Sequence, residues 1–63
     1  MKYWTWKELK EGDRVRDREG AIFEVVKIWD EDFADIAEVC WSDIYDQEYL
    51  TTPYRAYRKD YII

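Results

Sequence analysis

The chain has no histidine, one cysteine (Cys40) and one serine (Ser42) among its 63 residues. Side chains that commonly act as a general base near neutral pH, or as paired nucleophiles, are therefore scarce. A lone cysteine cannot form an internal disulfide, and a structural zinc site needs four cysteine or histidine ligands. We therefore expect a non-enzymatic protein with no catalytic residues, no metal and no other cofactor, in a reducing compartment.

Long apolar runs are also missing. No segment approaches the ~20 apolar residues of a membrane span, and residues 1–7 lack the apolar core of a signal peptide. A chain of 63 residues is too short for two domains. These features predict a soluble cytoplasmic protein with no membrane partner, monomeric or homodimeric, in which residues 1–63 form one domain.

Aromatic residues are abundant: four tryptophans, six tyrosines and two phenylalanines. A chain this short buries only about 60% of the surface that it exposes when unfolded, so its core must be dense in large side chains. The composition predicts a folded domain despite 40% charged residues. We expect the core to contain Leu9, Val15, Phe23, Val25, Ile28, Val39, Trp41, Leu50 and Ile62.

Alternating and β-branched stretches predict the first strands. Residues 13–18 alternate around Val15 and indicate a short edge strand. After a turn at Glu19-Gly20, residues 21–29 are rich in β-branched and aromatic side chains and give the strongest strand prediction. Both faces of that second strand are apolar, with Phe23, Val25 and Trp29 expected on one face.

Residues 30–40 allow two interpretations. As a helix, this segment would place Phe33, Ile36, Ala37 and Cys40 on one side. As a hairpin, it has a turn at residues 30–32 and a strand over residues 36–41, with Ala37, Val39 and Trp41 facing inward. We favour the strand, because Val39-Cys40-Trp41 is unfavourable in a helix and the preceding strand needs a partner.

Short helical turns are expected near both ends. Thr5 and Glu8 form a capping-box pattern before Gly12, and Thr52-Pro53 has the pattern of a helix start. Between these turns, residues 42–46 are predicted to be a loop and residues 47–51 a strand. After the second turn, which would place Tyr54, Tyr57 and Tyr61 on one side, residues 61–63 are predicted to form the last strand.

Acidic residues dominate the middle of the chain, where residues 28–54 carry eight acids and no base. Such a surface can have no role beyond solubility, or it can be a docking surface for a basic protein partner. Binding residues are found in loops more often than in strands. We therefore expect the partner to bind at the two acidic turns, residues 30–32 and 43–46, and at the aromatic residues next to them. The predicted partner-binding residues are Asp30, Glu31, Asp32, Phe33, Asp35, Asp43, Tyr45 and Asp46.

Two other binding functions stay open. An acidic chain with interspersed aromatic residues could mimic a nucleic acid and inhibit a host DNA-binding or nuclease complex, as some anti-CRISPR proteins do. Alternatively, a basic strip could bind nucleic acid weakly; its members would be Arg14, Arg16, Arg18, Arg55 and Arg58. A net charge of -5 disfavours nucleic acid as a partner.

Two stretches resemble SH3-like small β-barrels of the KOW and Tudor-like branch, including short uncharacterised proteins of bacteriophages and mobile elements. The first is Gly12-Asp13-x-Val15-x-Asp17-x-x-Gly20-x-x-Phe23-x-Val25-x-x-Ile28. The second is Val39-x-Trp41-x-Asp43, followed by Tyr49-Leu50. The resemblance implies an all-β SH3-like barrel of about five strands with a short helical turn near each end. It also suggests a non-catalytic interaction module, a small phage or mobile-element accessory protein that binds another protein.

Overall fold

The computed structural model describes residues 4–63. They form an all-β protein, as expected, with six antiparallel strands rather than about five. The elements in chain order are a 3-10 helix at Trp6–Glu8, β1 at Arg14–Asp17, β2 at Ile22–Ile28, β3 at Phe33–Ser42, β4 at Gln47–Leu50, β5 at Tyr54–Tyr57, a 3-10 helix at Arg58–Asp60 and β6 at Tyr61–Ile62.

The strands follow the order β4-β3-β2-β1-β6, and β5 also pairs with β3. Ala34 of β3 lies between Ile28 of β2 and Ala56 of β5, so β2 and β5 occupy opposite edges of β3. The β3–β4 hairpin then places β4 and β5 one after the other along the same edge of β3. Within residues 4–63 no backbone ladder joins β5 to β6, so the sheet does not close into the expected barrel.

The strand interpretation of the ambiguous segment is confirmed. β3 begins at Phe33, three residues earlier than predicted, and continues through Ser42. Its first half pairs with β2 on one side and β5 on the other, while its second half forms a hairpin with β4. β3 is therefore the central strand, and its two ends carry the two acidic turns.

A short helical turn is present near each end, as predicted, but the start of the second one at Thr52-Pro53 is wrong. Residues 54–57 form β5, paired with residues 33–36 of β3, and the second 3-10 helix begins only at Arg58. The local start signal is overridden because β3 extends beyond β4 and leaves backbone hydrogen-bonding groups that a further strand satisfies. The final strand, β6, pairs with β1 as a two-residue strand.

A bulge in β2 changes which side chains reach the core. Val25 pairs with Ile36 but Lys27 pairs with Asp35, so Val26 is an extra residue. One extra residue reverses the alternation of side chains beyond it. Ile28 therefore packs against the core, whereas Trp29, predicted to share the face of Phe23 and Val25, is exposed.

The core is built from two aromatic rings, three β-branched side chains and two alanines. Its buried cluster comprises Trp6, Val15, Phe23, Val25, Ala34, Ile36 and Ala56. Three predicted core residues, Trp41, Leu50 and Ile62, are exposed, while Leu9 and Ile28 pack at its margin and Val39 is half-buried. Ala34 and Ile36 show that even-numbered positions of β3 face this core, so the odd-numbered Trp41 lies on the opposite face.

The segment before β1 is fixed onto the β2–β3 turn. The amide N–H of Thr5 donates to Glu8 Oε2 at 2.7 Å, in agreement with the predicted capping box. The indole Nε1–H of Trp6 donates to the carbonyl of Asp32 at 2.9 Å, and the Trp6 amide donates to the carbonyl of Glu31 at 3.0 Å. Trp6 therefore joins the core to the first acidic turn.

Candidate partner-binding site

The first acidic turn, residues 30–32, is stabilised by the carboxylate of Asp30. Asp30 Oδ1 accepts the amide N–H groups of Asp32, at 2.8 Å, and Phe33, at 2.9 Å. These hydrogen bonds, the one from Phe33 first, lower the pKa of Asp30. Since the carboxylate shapes the turn that begins β3, Asp30 has a structural task as well as a place in the predicted site.

Asp32 is also committed to internal contacts. Its Oδ1 accepts from Arg58 Nε at 2.8 Å, and its backbone carbonyl accepts from Trp6 Nε1 and from the Arg58 amide. The Arg58 side chain is only 10% exposed. Arg58 therefore joins the second 3-10 helix to the β2–β3 turn and does not lie on an open basic strip.

Aromatic and basic side chains lie beside Phe33 and Asp35, the predicted binding residues that follow this turn on β3. The Phe33 ring is partly exposed and lies 5.3 Å from the Tyr57 ring, measured between centroids. Asp35 pairs in register with Lys27 on β2 and Arg55 on β5. This end of the molecule therefore combines carboxylates with nearby cations, and the cations reduce the local negative charge that a partner would meet.

Those same two cations cover Trp29, which lies beside them. Lys27 Nζ is 4.0 Å and Arg55 Cζ is 4.8 Å from the centroid of the indole ring. Both distances suit a cation–π contact. The predicted basic strip is thereby divided: Arg55 packs on Trp29, while Arg14 and Arg16 lie on β1 and Arg18 lies in the β1–β2 turn.

The second acidic turn lies at the opposite end of β3. Residues 43–46 connect β3 to β4, and the Ser42 hydroxyl accepts the Tyr45 amide N–H at 3.2 Å. Asp46 adopts a left-handed conformation, with φ of 52°, which aspartate tolerates in a tight turn. A ten-residue strand spans about 30 Å. The eight predicted site residues therefore form two separate groups, five near residues 30–35 and three in this turn.

The β3–β4 hairpin exposes a group of large apolar side chains, which we call the hairpin surface. Ile44 is 88% and Tyr45 is 74% exposed at the tip, and Trp41 is 57% exposed on β3. Tyr49 and Leu50 on β4 complete it and are about half exposed. Trp41, Ile44, Tyr49 and Leu50 were not among the predicted binding residues.

The two faces of the hairpin differ. By register, Trp41, Glu48 and Leu50 share one face, whereas Tyr49 shares the other with Cys40. On the Tyr49 face an open groove of about 530 Å³ lies against the turn, lined by Ser42, Asp43, Ile44, Tyr45, Gln47 and Tyr49. An apolar side chain of a partner could pack in this groove.

An ion-pair cluster connects β4 of the hairpin to β1 and β2. Arg14 Nη2 lies 2.8 Å from Glu48 Oε2, and Arg14 Nε lies 3.5 Å from Glu24 Oε1. The pKa of Arg14 is raised, first by its hydrogen bond to Glu48 and then by the charge of Glu48. Arg14 thus faces carboxylates, which lessens its availability to a phosphate backbone.

The exposed apolar hairpin was missed because Trp41 and Leu50 were assigned to the core. Two features of the sequence indicated that this region is exposed: no basic residue separates its acids, and β4 begins with the polar residues Gln47 and Glu48. The deciding fact is tertiary. β2 begins at Ile22 and pairs with β3 only as far as Glu38, so residues 39–42 extend beyond the β2 partner.

Comparison with known proteins gives no relative: no family model, curated protein or solved structure matches this chain. Across residues 4–63, no group of three or more cysteine, aspartate or glutamate side chains is placed to hold a metal ion. In the same part of the chain, no helix has the length and apolar character needed to cross a membrane.

Proposed function

We propose that the protein is a non-catalytic interaction module that binds a protein partner through its β3–β4 hairpin. The observation that supports this proposal is the hairpin surface, where Trp41, Ile44, Tyr45, Tyr49 and Leu50 are all at least 44% exposed. These side chains lie at the tip and on both faces of the hairpin, and exposed large apolar side chains concentrated in one part of a surface are typical of an interaction site. Aromatic side chains are also the residues most often found to dominate binding energy.

The charge around the hairpin indicates the chemistry of the partner. Asp43, Asp46 and Glu48 lie in or beside the hairpin turn, and no lysine or arginine occurs between Lys27 and Arg55. Glu48 is paired with Arg14, so a basic partner would be steered mainly toward Asp43 and Asp46, and association should be fast at low salt and slower at high salt. The apolar side chains would then supply the contacts that slow dissociation.

An acidic mimic of nucleic acid is a narrower form of the same proposal. An acidic mimic would compete with nucleic acid for the same site, so DNA or RNA would displace this protein from the captured partner. Direct nucleic-acid binding through the arginines has less support, because Arg14 contacts Glu24 and Glu48 and Arg58 is buried on Asp32. Salt-sensitive binding of DNA in a gel shift would reverse this ordering.

We also propose kinship with SH3-like small barrels, in the KOW and Tudor-like branch. The support is the connectivity: a meander of strands, then a 3-10 helix, then a last strand that returns to pair with β1. The open gap between β5 and β6 is the departure from that architecture. A small accessory protein of a phage or mobile element would be consistent with this kinship.

The proposed function is tested by capture of the partner with matched variants. Ile44→Ser alters the hairpin tip, and Ile63→Ser makes the same change at an exposed isoleucine of the chain end. Immobilised protein should capture a partner from a lysate of the source cell, Ile44→Ser should lose it, and Ile63→Ser should retain it. Equal capture by both variants, or equal loss, would overturn the hairpin as the binding element.

A further inference from the structure

β4 is an open edge of the sheet. Within residues 4–63, its only strand partner is β3, and all four of its residues are exposed. An edge strand presents a row of unpaired N–H and C=O groups on the side away from its partner. The other open edges are β6, which has only two residues, and β5, which has four but follows Pro53 directly and carries Arg55. Among these edges β4 is the four-residue one without an adjacent proline or a basic residue.

The register identifies which backbone groups of β4 face outward. Outside the strand itself, the Thr51 amide donates to the Glu38 carbonyl at 3.0 Å. In an antiparallel ladder, directly hydrogen-bonded pairs alternate with pairs that are not. The pairs Cys40–Tyr49 and Ser42–Gln47 are then the hydrogen-bonded ones, and the N–H and C=O groups of Glu48 and Leu50 point to the open edge.

This edge lacks most of the features that protect other edges from pairing. Lysine, proline and bulges commonly block an exposed edge strand. β4 has the sequence Gln-Glu-Tyr-Leu, its register with β3 is regular, and Pro53 lies three residues beyond it. An additional strand can therefore approach Glu48 and Leu50 without meeting a proline or a lysine of β4.

The side chains beside the edge define the strand that would fit. Leu50 is apolar on one face and Tyr49 on the other, while the turn next to the edge carries Asp43 and Asp46; the Glu48 carboxylate is paired with Arg14. Successive side chains of an added strand alternate between faces. A segment that carries lysine or arginine among apolar residues would match this pattern, whereas a second copy of the hairpin would bring its own Asp43, Asp46 and Glu48.

We propose that β4 is a docking strand, to which an extended basic segment of the protein partner adds as a further β-strand. This inference rests on the proposed function and specifies its mode: backbone hydrogen bonds from Glu48 and Leu50, with the side chains of Tyr49 and Leu50 contacting apolar side chains of the added strand. In this type of recognition the main chain supplies affinity and alternate side chains supply specificity. The Glu48 carboxylate is itself engaged by Arg14, which holds the edge in place.

The sharpest variant removes only the outward hydrogen-bond donor. Leu50→Pro deletes an N–H that makes no bond to β3, and proline is tolerated at such edge positions. Leu50→Ala is the matched control, since it also removes the leucine side chain but retains the N–H. The probe is a capped hexapeptide of alternating lysine and valine, with a capped hexapeptide of alternating glutamate and valine as the charge control.

Binding is measured at low salt by NMR titration of the protein amides. The lysine peptide should bind saturably, the glutamate peptide should not, and Leu50→Pro should bind roughly three- to tenfold more weakly than Leu50→Ala. Hydrogen exchange at the Glu48 and Leu50 amides of the wild-type protein should slow when the lysine peptide is added. That second measurement tests the proposal even if Leu50→Pro fails to fold.

Equal affinity of Leu50→Pro and Leu50→Ala, or unchanged exchange at both amides in the bound wild-type protein, would overturn strand addition. So would sedimentation of the protein alone as a dimer with both amides protected, because a second copy would then occupy the edge. The proposed function would survive these outcomes if Ile44→Ser still abolished partner capture. Conversely, equal partner capture by Ile44→Ser and Ile63→Ser would overturn the proposed function, whatever the peptide titration shows.

Discussion

Arg14 of β1 pairs with Glu48 of β4 at 2.8 Å, although β2 and β3 lie between their strands in the sheet. By register, Arg14, Glu24 and Ala37 share one face with Glu48, and Ala37 is fully buried there. A small side chain at position 37 leaves space above β3 for this pair. The ion pair therefore orients the hairpin relative to the body of the sheet.

The first prediction concerns the titration of Glu48. Its pKa lies below the ordinary value of 4.5, because Arg14 donates a hydrogen bond to its carboxylate and carries the opposite charge. Arg14→Met should raise the titration midpoint of Glu48 toward 4.5, as followed by NMR of the side-chain carboxyl. Arg16→Met removes the same charge from the same strand and should change the midpoint less; equal shifts would show that the direct contact is unimportant.

The second prediction concerns the pH dependence contributed by Asp30. Its folded-state pKa is lowered from 3.8 by the amide hydrogen bonds of Phe33 and Asp32. A lowered pKa means that the stabilisation is present above the unfolded-state value and is lost as pH falls through the folded-state value. Asp30→Asn should therefore lower the melting temperature near pH 7, and its difference from the wild type should shrink below pH 3.8.

Glu31→Gln is the control for this effect, because it removes the charge of an exposed neighbour in the same turn. Its melting temperature should follow that of the wild type across the same pH range. A constant difference between Asp30→Asn and the wild type at all pH values would contradict the assigned role of the Asp30 charge.

The third prediction concerns the contact between Asp32 and the largely buried side chain of Arg58. Asp32→Ala should cost about 1–3 kcal/mol in the free energy of unfolding, because it removes a charge-assisted hydrogen bond from Arg58. Glu31→Ala, at an exposed neighbouring position, should change it by less than about 0.5 kcal/mol. Urea unfolding followed by tryptophan fluorescence measures both, and equal costs would refute the structural role of Asp32.

The fourth prediction contrasts two tryptophans. Trp6 is fully buried, and its ring lies 6.1 Å from that of Tyr61 between centroids; Trp6→Ala should cost about 3–5 kcal/mol and leave a chain this small unfolded. Trp41 is 57% exposed, so Trp41→Ala should cost less, about 1–3 kcal/mol. Thermal unfolding by circular dichroism compares them, and a folded Trp6→Ala protein beside an unfolded Trp41→Ala protein would reverse the assigned core.

Much of the fold could be predicted from local sequence. The β-branched run of β2, the Gly20 turn and the capping pattern of Thr5 and Glu8 each depend on residues within a few positions of one another. The strand after the first acidic turn was also predictable, because Asp30 bonds amides only two and three residues ahead. Such features follow from propensity and hydrogen-bonding reach along the chain.

The candidate site was predicted only in part. Tyr45, Asp43 and Asp46 lie in the exposed hairpin turn, whereas Trp41 and Leu50 were assigned to the core. An alternating strand has two equivalent faces until a partner covers one of them. Sequence alternation therefore gave the two faces of residues 36–41 but not which one packs in the main core, and the places of Ala34 and Ile36 in the core cluster decide it.

The amino-acid sequence by itself determined that this protein is all-β, rich in aromatic residues and acidic in its middle, since composition and short-range patterns specify these properties. Tertiary structure decided the rest. The bulge at Val26 reversed the faces of the second half of β2. Residues 54–57 form a strand because they pair with the open edge of β3. Because β2 begins at Ile22, it does not cover residues 39–42, and the hairpin surface is exposed. Each depends on which strand lies beside which, and pairing between distant segments is not encoded by the preferences of either segment alone.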